Sequence, residues 1–405
     1  MRHPSPTSRT FPGRDENGFV LYAGGERYRL NHVGRRIVFL CDGMRPLEAA
    51  AGELASEYAI PYETAVNETV AFCDSLAGDG LLSFSDAPSA HRWPAWHEQT
   101  APLSVTVEIT QRCNMRCIHC YNASGDEEPG TLCFDEIARV LGELAALGTR
   151  SVSFAGGEPL MRPDLDEMVA LGARLGISTG IASNGFSLTP ARVAQLADRG
   201  LTTVQISLDF PDERHDAFRK RSGAFAHAEA AIRAAAEGGM QTVVSSTVTR
   251  DNAGDVGTIR DRGRELGADY HLVNRFIPTR RGASLDADLP EEDFHATVER
   301  LRHAAPPMIG CDPVVSGAVH CAVGSGHLTI ASNGDVKPCV SFQAAAGNVR
   351  RAPLRDIWFG SPLLIALREG NFASLFDGKS PGCPSYQFAM APPEGEYRAY
   401  ARVFA

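Results

Sequence analysis

The chain lacks any surplus of positive charge. Its 405 residues carry 39 Lys and Arg against 49 Asp and Glu, giving a net charge of -10, and no basic cluster interrupts that balance. A nucleic-acid or anionic-membrane surface requires a basic face, so no nucleic acid and no membrane is expected as a partner. Long apolar runs are missing as well: none reaches the length of a bilayer span, and Met1 to Gly18 is polar, without the apolar segment of a signal peptide. A cytoplasmic location is therefore expected, where ten Cys serve as metal ligands or buried thiols rather than disulfides. Several active-site signatures are absent: no G-x-S-x-G, no H-E-x-x-H, no G-x-G-x-x-G, and Ala373 stands where a phosphate loop ending in Gly378-Lys379-Ser380 would need Gly. There is no internal repeat and no long low-complexity tract. What remains is an ordinary globular composition, 43% apolar and 22% charged, long enough for two or three domains.

One stretch dominates. Cys113-Asn114-Met115-Arg116-Cys117-Ile118-His119-Cys120 places three thiols directly after the strand-like run 104–110. Three thiolates close three corners of a cubane [4Fe-4S] cluster, and with no other Cys nearer than Cys133 one iron keeps an open position for a ligand that reacts. A zinc knuckle would want a fourth Cys or His close by, and a chance cluster of buried thiols is the other alternative.

The C-x3-C-x2-C spacing, with His119 before the last Cys and Tyr121 after it, resembles the signature of radical S-adenosylmethionine (radical SAM) enzymes. That resemblance implies a SAM-binding [4Fe-4S] cluster on Cys113, Cys117 and Cys120. It also implies an oxidoreductase that cleaves SAM reductively to a 5'-deoxyadenosyl radical and abstracts hydrogen from a substrate C-H bond. His119 is included among the cofactor contacts.

From residue 103 strands and helices alternate. Strands are expected at 104–110, 150–155, 177–182, 202–208, 241–248 and 269–276, with helices at 134–147, 164–175, 190–199, 214–237 and 253–266 between them. Six such units imply a partial (β/α)6 barrel whose functional groups gather at the C-terminal strand ends, within an α/β fold. Gly156-Gly157-Glu158-Pro159 follows the second strand; two glycines remove Cβ atoms where a small ligand approaches, and the carboxylate suits an ammonium. The run resembles the family's GGEP motif, which holds the methionyl ammonium of SAM. Ser183 and Asn184 after the third strand, and Ser207 and Asp209 after the fourth, resemble positions near its ribose and carboxylate, although Phe210 replaces the usual Gly. Arg219 is a candidate partner of the SAM carboxylate, with a solvated helix face as the alternative. The twelve His are scattered and read as structural or solvated.

The flanks carry two further resemblances. Residues 1 to 17 read as a disordered arm, and 18 to 86 as a winged-helix-like domain: a hairpin of 19–22 and 28–30 around Gly24-Gly25, helices 46–58 and 62–77, and a strand at 81–84. Leu30-Asn31, Ile37, Cys41-Asp42-Gly43 and Ser75 to Leu82 resemble the small peptide chaperone of pyrroloquinoline quinone biosynthesis. In that family a leader peptide adds as a strand to the hairpin edge; a generic winged helix or dimerisation module is the alternative. Cys41 and Cys73 read as core residues. Residues 87 to 102, with Trp93 and Trp96, form a linker, 103 to 282 the barrel, and 283 to 405 an auxiliary domain and tail.

In the last region a hairpin is expected around Asn333-Gly334, after a helix at 292–304. The run Cys321-x12-Gly334-x4-Cys339 resembles the auxiliary-cluster (SPASM or twitch) domain of radical SAM peptide maturases, which implies a second [4Fe-4S] cluster on Cys311, Cys321, Cys339 and Cys383 and leaves no ligands for a third. Together the resemblances imply maturation of a ribosomally synthesised precursor peptide (a RiPP), its leader held by residues 18–86, with an electron donor such as flavodoxin or ferredoxin. The rivals are a radical SAM enzyme of a small molecule or tetrapyrrole and a non-enzymatic iron-sulfur regulator.

Overall fold

The computed structural model describes residues 2–6, 10–15, 18–23, 26–88, 102–301, 308–309 and 326–368. The chain divides into two compact units, Met1–Thr100 and Ala101–Ala405.

In the first unit β1 (His3–Pro6) pairs antiparallel with β5 (Leu82–Ser85). A separate sheet has the order β2 (Thr10–Asp15), β3 (Gly18–Ala23), β4 (Glu26–Leu30). Three helices lie between β4 and β5: α1 (His32–Leu40), α2 (Leu47–Tyr58) and α3 (Tyr62–Gly78). Of residues 1 to 17, expected as a disordered arm, 3–6 and 10–15 form strands, because the closing strand β5 and the β3–β4 hairpin each need a partner for their backbone groups. Pro4, Pro6 and Pro12 are compatible with this because both strands are edges, where a missing N-H is tolerated. Arg2 fixes the start of β1, its Nη1 2.6 Å from Asp74 Oδ1. Leu21, Val38, Leu47, Leu54, Leu76 and Leu81 form the core of this unit, with Cys41 and Cys73 inside it.

The second unit is built on one ten-stranded sheet. Six parallel strands run in chain order: β6 (Ser104–Thr110), β7 (Ser151–Gly156), β8 (Ser178–Ser183), β9 (Leu201–Ser207), β10 (Gln241–Val248) and β11 (Tyr270–Arg275). The intervening helices are α4 (Phe134–Leu147), α5 (Leu165–Arg174), α6 (Pro190–Asp198), α7 (Arg214–Arg219), α8 (Ala224–Glu237) and α9 (Val256–Glu265). Strand faces alternate as the two-residue period demands. Val105, Val107 and Ile109 of β6 enter the core beneath the helices, while Glu108 lies on the other face. The local signals act as expected in α6: Thr189 Oγ1 accepts from Arg192 N at 3.2 Å, and Pro190 occupies the first turn.

Two differences from the sequence reading matter. The helix expected at 214–237 is broken, because Lys220 (φ 55°) and Gly223 (φ 77°) both leave the right-handed region and end α7 at Arg219. The boundary expected at 282/283 is also not a structural break. After α10 (Glu291–Glu299) and β12 (Met308–Ile309), strand β13 (His327–Ile330) pairs in parallel with β6, so the hairpin with β14 (Asp335–Lys337), and then β15 (Gly347–Asn348), extends the barrel sheet. Lys337 reaches past β13 to Glu108, Nζ to Oε1 3.4 Å, and both are buried. Helices α11 (Leu354–Gly360) and α12 (Pro362–Arg368) close the described part, with Trp358 fully buried. Among the described residues no helix is long and apolar enough to cross a membrane.

Candidate functional site

The cysteine loop leaves the C-terminal end of β6 and is held both by its own turns and by its neighbours. Cys113 N donates to Gly125 O at 2.8 Å, Arg116 N to Arg219 O at 3.3 Å and Ile118 N to Phe218 O at 3.1 Å. Arg281, beyond β11, donates to three carbonyls of the same loop: Cys117 O at 3.1 Å, Ala123 O at 2.8 Å and Ser124 O at 2.7 Å. Within that frame Cys117 is buried with Met115 and Ala224, and Cys113, Cys120 and Phe186 pack against them.

Three N-H donors are aimed at the thiols. Met115 N lies 3.4 Å from Cys113 Sγ, Asn184 Nδ2 4.0 Å from the same sulfur, and Arg219 Nη1 3.8 Å from Cys117 Sγ. Burial first, and neighbouring acidic groups after it, raise the Cys117 thiol and push Cys113 up to about 11, so as free thiols they would be inert. N-H groups directed at sulfur suit the opposite state, thiolates bound to iron. Among the described residues no three His, Cys, Asp or Glu side chains converge on a point that one ion could occupy. Three soft donors on one loop, with N-H groups directed at two of their sulfurs, suit the thiolate corners of an iron-sulfur cluster.

The Gly156-Gly157-Glu158-Pro159 turn lies against this loop. A Cβ on Gly156 would fall 2.3 Å from Thr110 O, and one on Gly157 2.1 Å from Arg112 O. The space that two glycines were expected to leave for a ligand is filled by the chain's own backbone. Gly157 N and Glu158 N donate to Thr110 O and Arg112 O, each at 2.8 Å, which locks the turn to the residues just before Cys113.

Glu158 is fully buried and turns towards the next strand end. Its Oε1 accepts from Ser183 Oγ at 2.8 Å and Leu160 N at 3.1 Å, and its Oε2 accepts from Asn184 N at 2.8 Å. Burial raises the carboxyl, and these donors oppose it without cancelling it. A carboxylate has about four acceptor positions, so room for another donor remains. Asn184 in turn donates to Asn114 Oδ1 at 2.7 Å, which ties the third strand end to the cysteine loop.

The fourth strand end is closed by a buried ion pair. Asp209 Oδ2 accepts from Arg219 Nε at 2.7 Å and Nη2 at 2.6 Å, and its Oδ1 from Thr247 N at 2.9 Å. Burial opposes the charged carboxylate, but the Arg219 guanidinium, with the Thr247 N-H beside it, outweighs burial and holds Asp209 below the usual range. Arg219 is therefore not on a solvated helix face; it spans Asp209 and Cys117. Ser207 lies two residues earlier on β9, half-buried. His119 stacks on Phe218 with centroids 4.2 Å apart, its Nδ1 buried without a partner, and burial lowers the ring to about 3.

Four further contributors are not among the site residues that the sequence singles out. Arg281 had only an Arg-Arg-Gly run after the last strand to mark it. His215, which accepts from Asp209 N at 3.1 Å, and Asn252, which donates to Asp209 O at 2.8 Å, looked like ordinary polar residues. Asn114 was hidden inside the cysteine run. Of the cysteines assigned to a second cluster, Cys339 is half-buried just after β14, and Cys311, Cys321 and Cys383 lie outside the described residues, as do Trp93 and Trp96.

A parallel sheet carrying three thiols at the end of its first strand, within reach of polar groups from the next three strand ends, defines an iron-sulfur enzyme of the partial-barrel class. Residues 107–261 match the Radical SAM superfamily, 18–82 match coenzyme PQQ synthesis protein D (PqqD), and 321–383 match an iron-sulfur cluster-binding domain, SPASM. The chain is 30% identical over 298 residues to the AdoMet-dependent heme synthase of Methanosarcina barkeri, covering 66% of this chain and 85% of that one. It is 32% identical over 293 residues to the PqqA peptide cyclase of Methylocella silvestris, covering 66% and 76%. Its fold is similar to Streptococcus suis SuiB bound to S-adenosylmethionine, with a TM-score of 0.62, 18% identity and 90% of each chain covered. The chain belongs to the radical SAM superfamily. It is an enzyme that uses SAM and a [4Fe-4S] cluster, with auxiliary iron-sulfur binding in its SPASM region.

Proposed function

We propose that this enzyme modifies a ribosomally synthesised precursor peptide, with Cys113, Cys117 and Cys120 holding the cluster that binds SAM. One observation carries the peptide reading: a PqqD match and a radical SAM match share one chain, and a peptide-recognition unit has little use in an enzyme for free small molecules. The cluster and SAM together supply the hydrogen-abstracting chemistry. The chain's own residues bind and orient. Glu158 offers its remaining acceptor position to the methionyl ammonium; Gly156, Gly157 and Pro159 fix its direction; Ser183, Asn184, Ser207 and Asp209 line the ribose and carboxylate side; and His119 and Arg219 complete the wall.

Residues 18–86 act as the recognition domain, 103–282 as the catalytic barrel and 283–405, whose strands β13 to β15 extend the barrel sheet, as the auxiliary region, with Cys311, Cys321, Cys339 and Cys383 holding a second [4Fe-4S] cluster. In the sheet β2-β3-β4 the hairpin's β3 edge is covered by β2, so an added leader strand belongs on the outer side of β2 or β4. A one-electron carrier such as flavodoxin or ferredoxin serves as reductant.

The test uses the full chain, reconstituted without oxygen and reduced by dithionite. SAM is cleaved to 5'-deoxyadenosine, Cys117→Ala abolishes the cleavage, and a short peptide encoded beside the gene binds with micromolar affinity by calorimetry, as suits a small transient interface. A second reading, action on a tetrapyrrole, is favoured by the similarity to the heme synthase. It takes over if no such peptide binds and a tetrapyrrole is consumed.

A further inference from the structure

We propose that Arg219 and Asp209 form a charge-setting pair for Cys117, which fixes the reduction potential of the cluster before SAM arrives. The proposal rests on the assignment of Cys117 as a cluster ligand. Arg219 is the last residue of α7, placed there by the left-handed turn at Lys220. It grips the cysteine loop twice: its carbonyl accepts from Arg116 N at 3.3 Å, and its Nη1 points at Cys117 Sγ from 3.8 Å. The remaining guanidinium nitrogens are bound to Asp209, which is anchored by Thr247 N at 2.9 Å. The peptide on either side of Asp209 is pinned as well, by His215 Nδ1 at 3.1 Å and Asn252 Nδ2 at 2.8 Å. Both charged groups are buried, so neither can be screened by solvent.

An N-H directed at a ligating sulfur withdraws electron density and favours the reduced, more negative cluster. A nearby carboxylate does the reverse. The pair therefore combines a strong donor with a counter-charge that limits its effect. This makes Arg219 a positioning residue for Cys117, whatever it later does for SAM.

The two charges predict opposite signs, and a merely structural role predicts none. In the SAM-free full chain, the relevant signal is the reduced-cluster electron paramagnetic resonance that disappears in the Cys113, Cys117, Cys120→Ala variant. Its midpoint is followed by redox titration. Arg219→Gln shifts it to more negative potential, Arg219→Lys shifts it less in the same direction, and Asp209→Asn shifts it to more positive potential. Unchanged midpoints, or Arg219→Gln and Asp209→Asn moving together, overturn the proposal. If one of these variants holds no iron, the sign of the shift in the others decides. If the triple Cys variant keeps every signal, the ligand assignment itself has failed, which is a separate result.

Discussion

Glu158 and Asn184, twenty-six residues apart, are joined by a hydrogen bond of 2.8 Å from the Asn184 backbone N-H to Glu158 Oε2. Through it the second and third strand ends become one rigid rim beside Cys113, because Asn184 also holds Asn114. A neutral amide cannot reproduce this carboxylate, since its NH2 would face the Asn184 or Leu160 donor. Glu158→Gln is expected to lower the stability of the metal-free chain by about 1–3 kcal/mol, the cost of one buried donor left unsatisfied. It should also weaken SAM binding at least tenfold in equilibrium dialysis of the reconstituted enzyme. Wild-type SAM affinity in this variant would remove Glu158 from the site.

The glycines test a different link. Gly157→Ala places a methyl 2.1 Å from Arg112 O, a backbone atom that cannot move without moving Cys113. Overpacking against backbone is expected to cost about 3 kcal/mol or more, and the reconstituted variant should hold markedly less iron. Gly142→Ala is the control, because nothing lies within 4 Å of its added Cβ on α4. It should be neutral or slightly stabilising. Equal iron in the two variants would show that the turn does not shape the cysteine loop.

Histidines held neutral in the fold, among them buried His271 and half-buried His327, make the second unit acid-sensitive. His271 is lowered to about 3 and His327 to about 4, in both cases by burial first, while Ser246 Oγ lies 2.8 Å from His271 Nε2. Both are neutral in the fold and free to protonate once unfolded. Their stabilising contribution is therefore complete above about pH 6.5, the ordinary His value, and is lost as pH falls towards the folded values. Between pH 7 and pH 5 each should cost about 2 kcal/mol, at about 1.4 kcal/mol per unit. His271→Gln should flatten that decline by a comparable amount in urea unfolding of the metal-free chain. A variant as acid-sensitive as the wild type would move the cause elsewhere.

Much of the barrel was legible because alternation and caps are local signals. Each expected barrel strand overlaps an observed one, and Thr189-Pro190 marked the start of α6 to the residue. Pairings between distant segments were not legible. Nothing near His327 announces that β13 will lie beside β6, since that choice is made by an open sheet edge more than two hundred residues earlier. The edge strands β1 and β2 were hidden by prolines, which signal a loop until the sheet order is known. At the strand ends the turn expected from Gly156 and Gly157 is present, but the two glycines admit the chain's own backbone. The break at Lys220 to Gly223 was marked by Gly223, and it aims Arg219 at Cys117.

The number of clusters follows from counting thiols that have another occupation. Cys133 starts α4 as its N-cap, with its backbone N-H bonded to Glu136 Oε2 at 2.9 Å, so the capping box accounts for it. Cys41 and Cys73 are fully buried in the first unit as unlinked thiols 3.7 Å apart, packed among Leu and Val side chains. Three of the ten are thereby explained by packing or capping, and three lie on the loop after β6. Four are left: Cys311, Cys321, Cys339 and Cys383, enough to close all four corners of one cubane and no more. The reconstituted chain is expected to hold two [4Fe-4S] clusters, about eight irons. The Cys113, Cys117, Cys120→Ala variant should retain about half of that iron, while Cys41→Ala and Cys73→Ala should lose none. Iron analysis that finds about four irons in the wild type and none in the triple variant would make the four C-terminal cysteines ordinary thiols. About four in the wild type that persist in the triple variant would instead take the cluster away from the loop after β6.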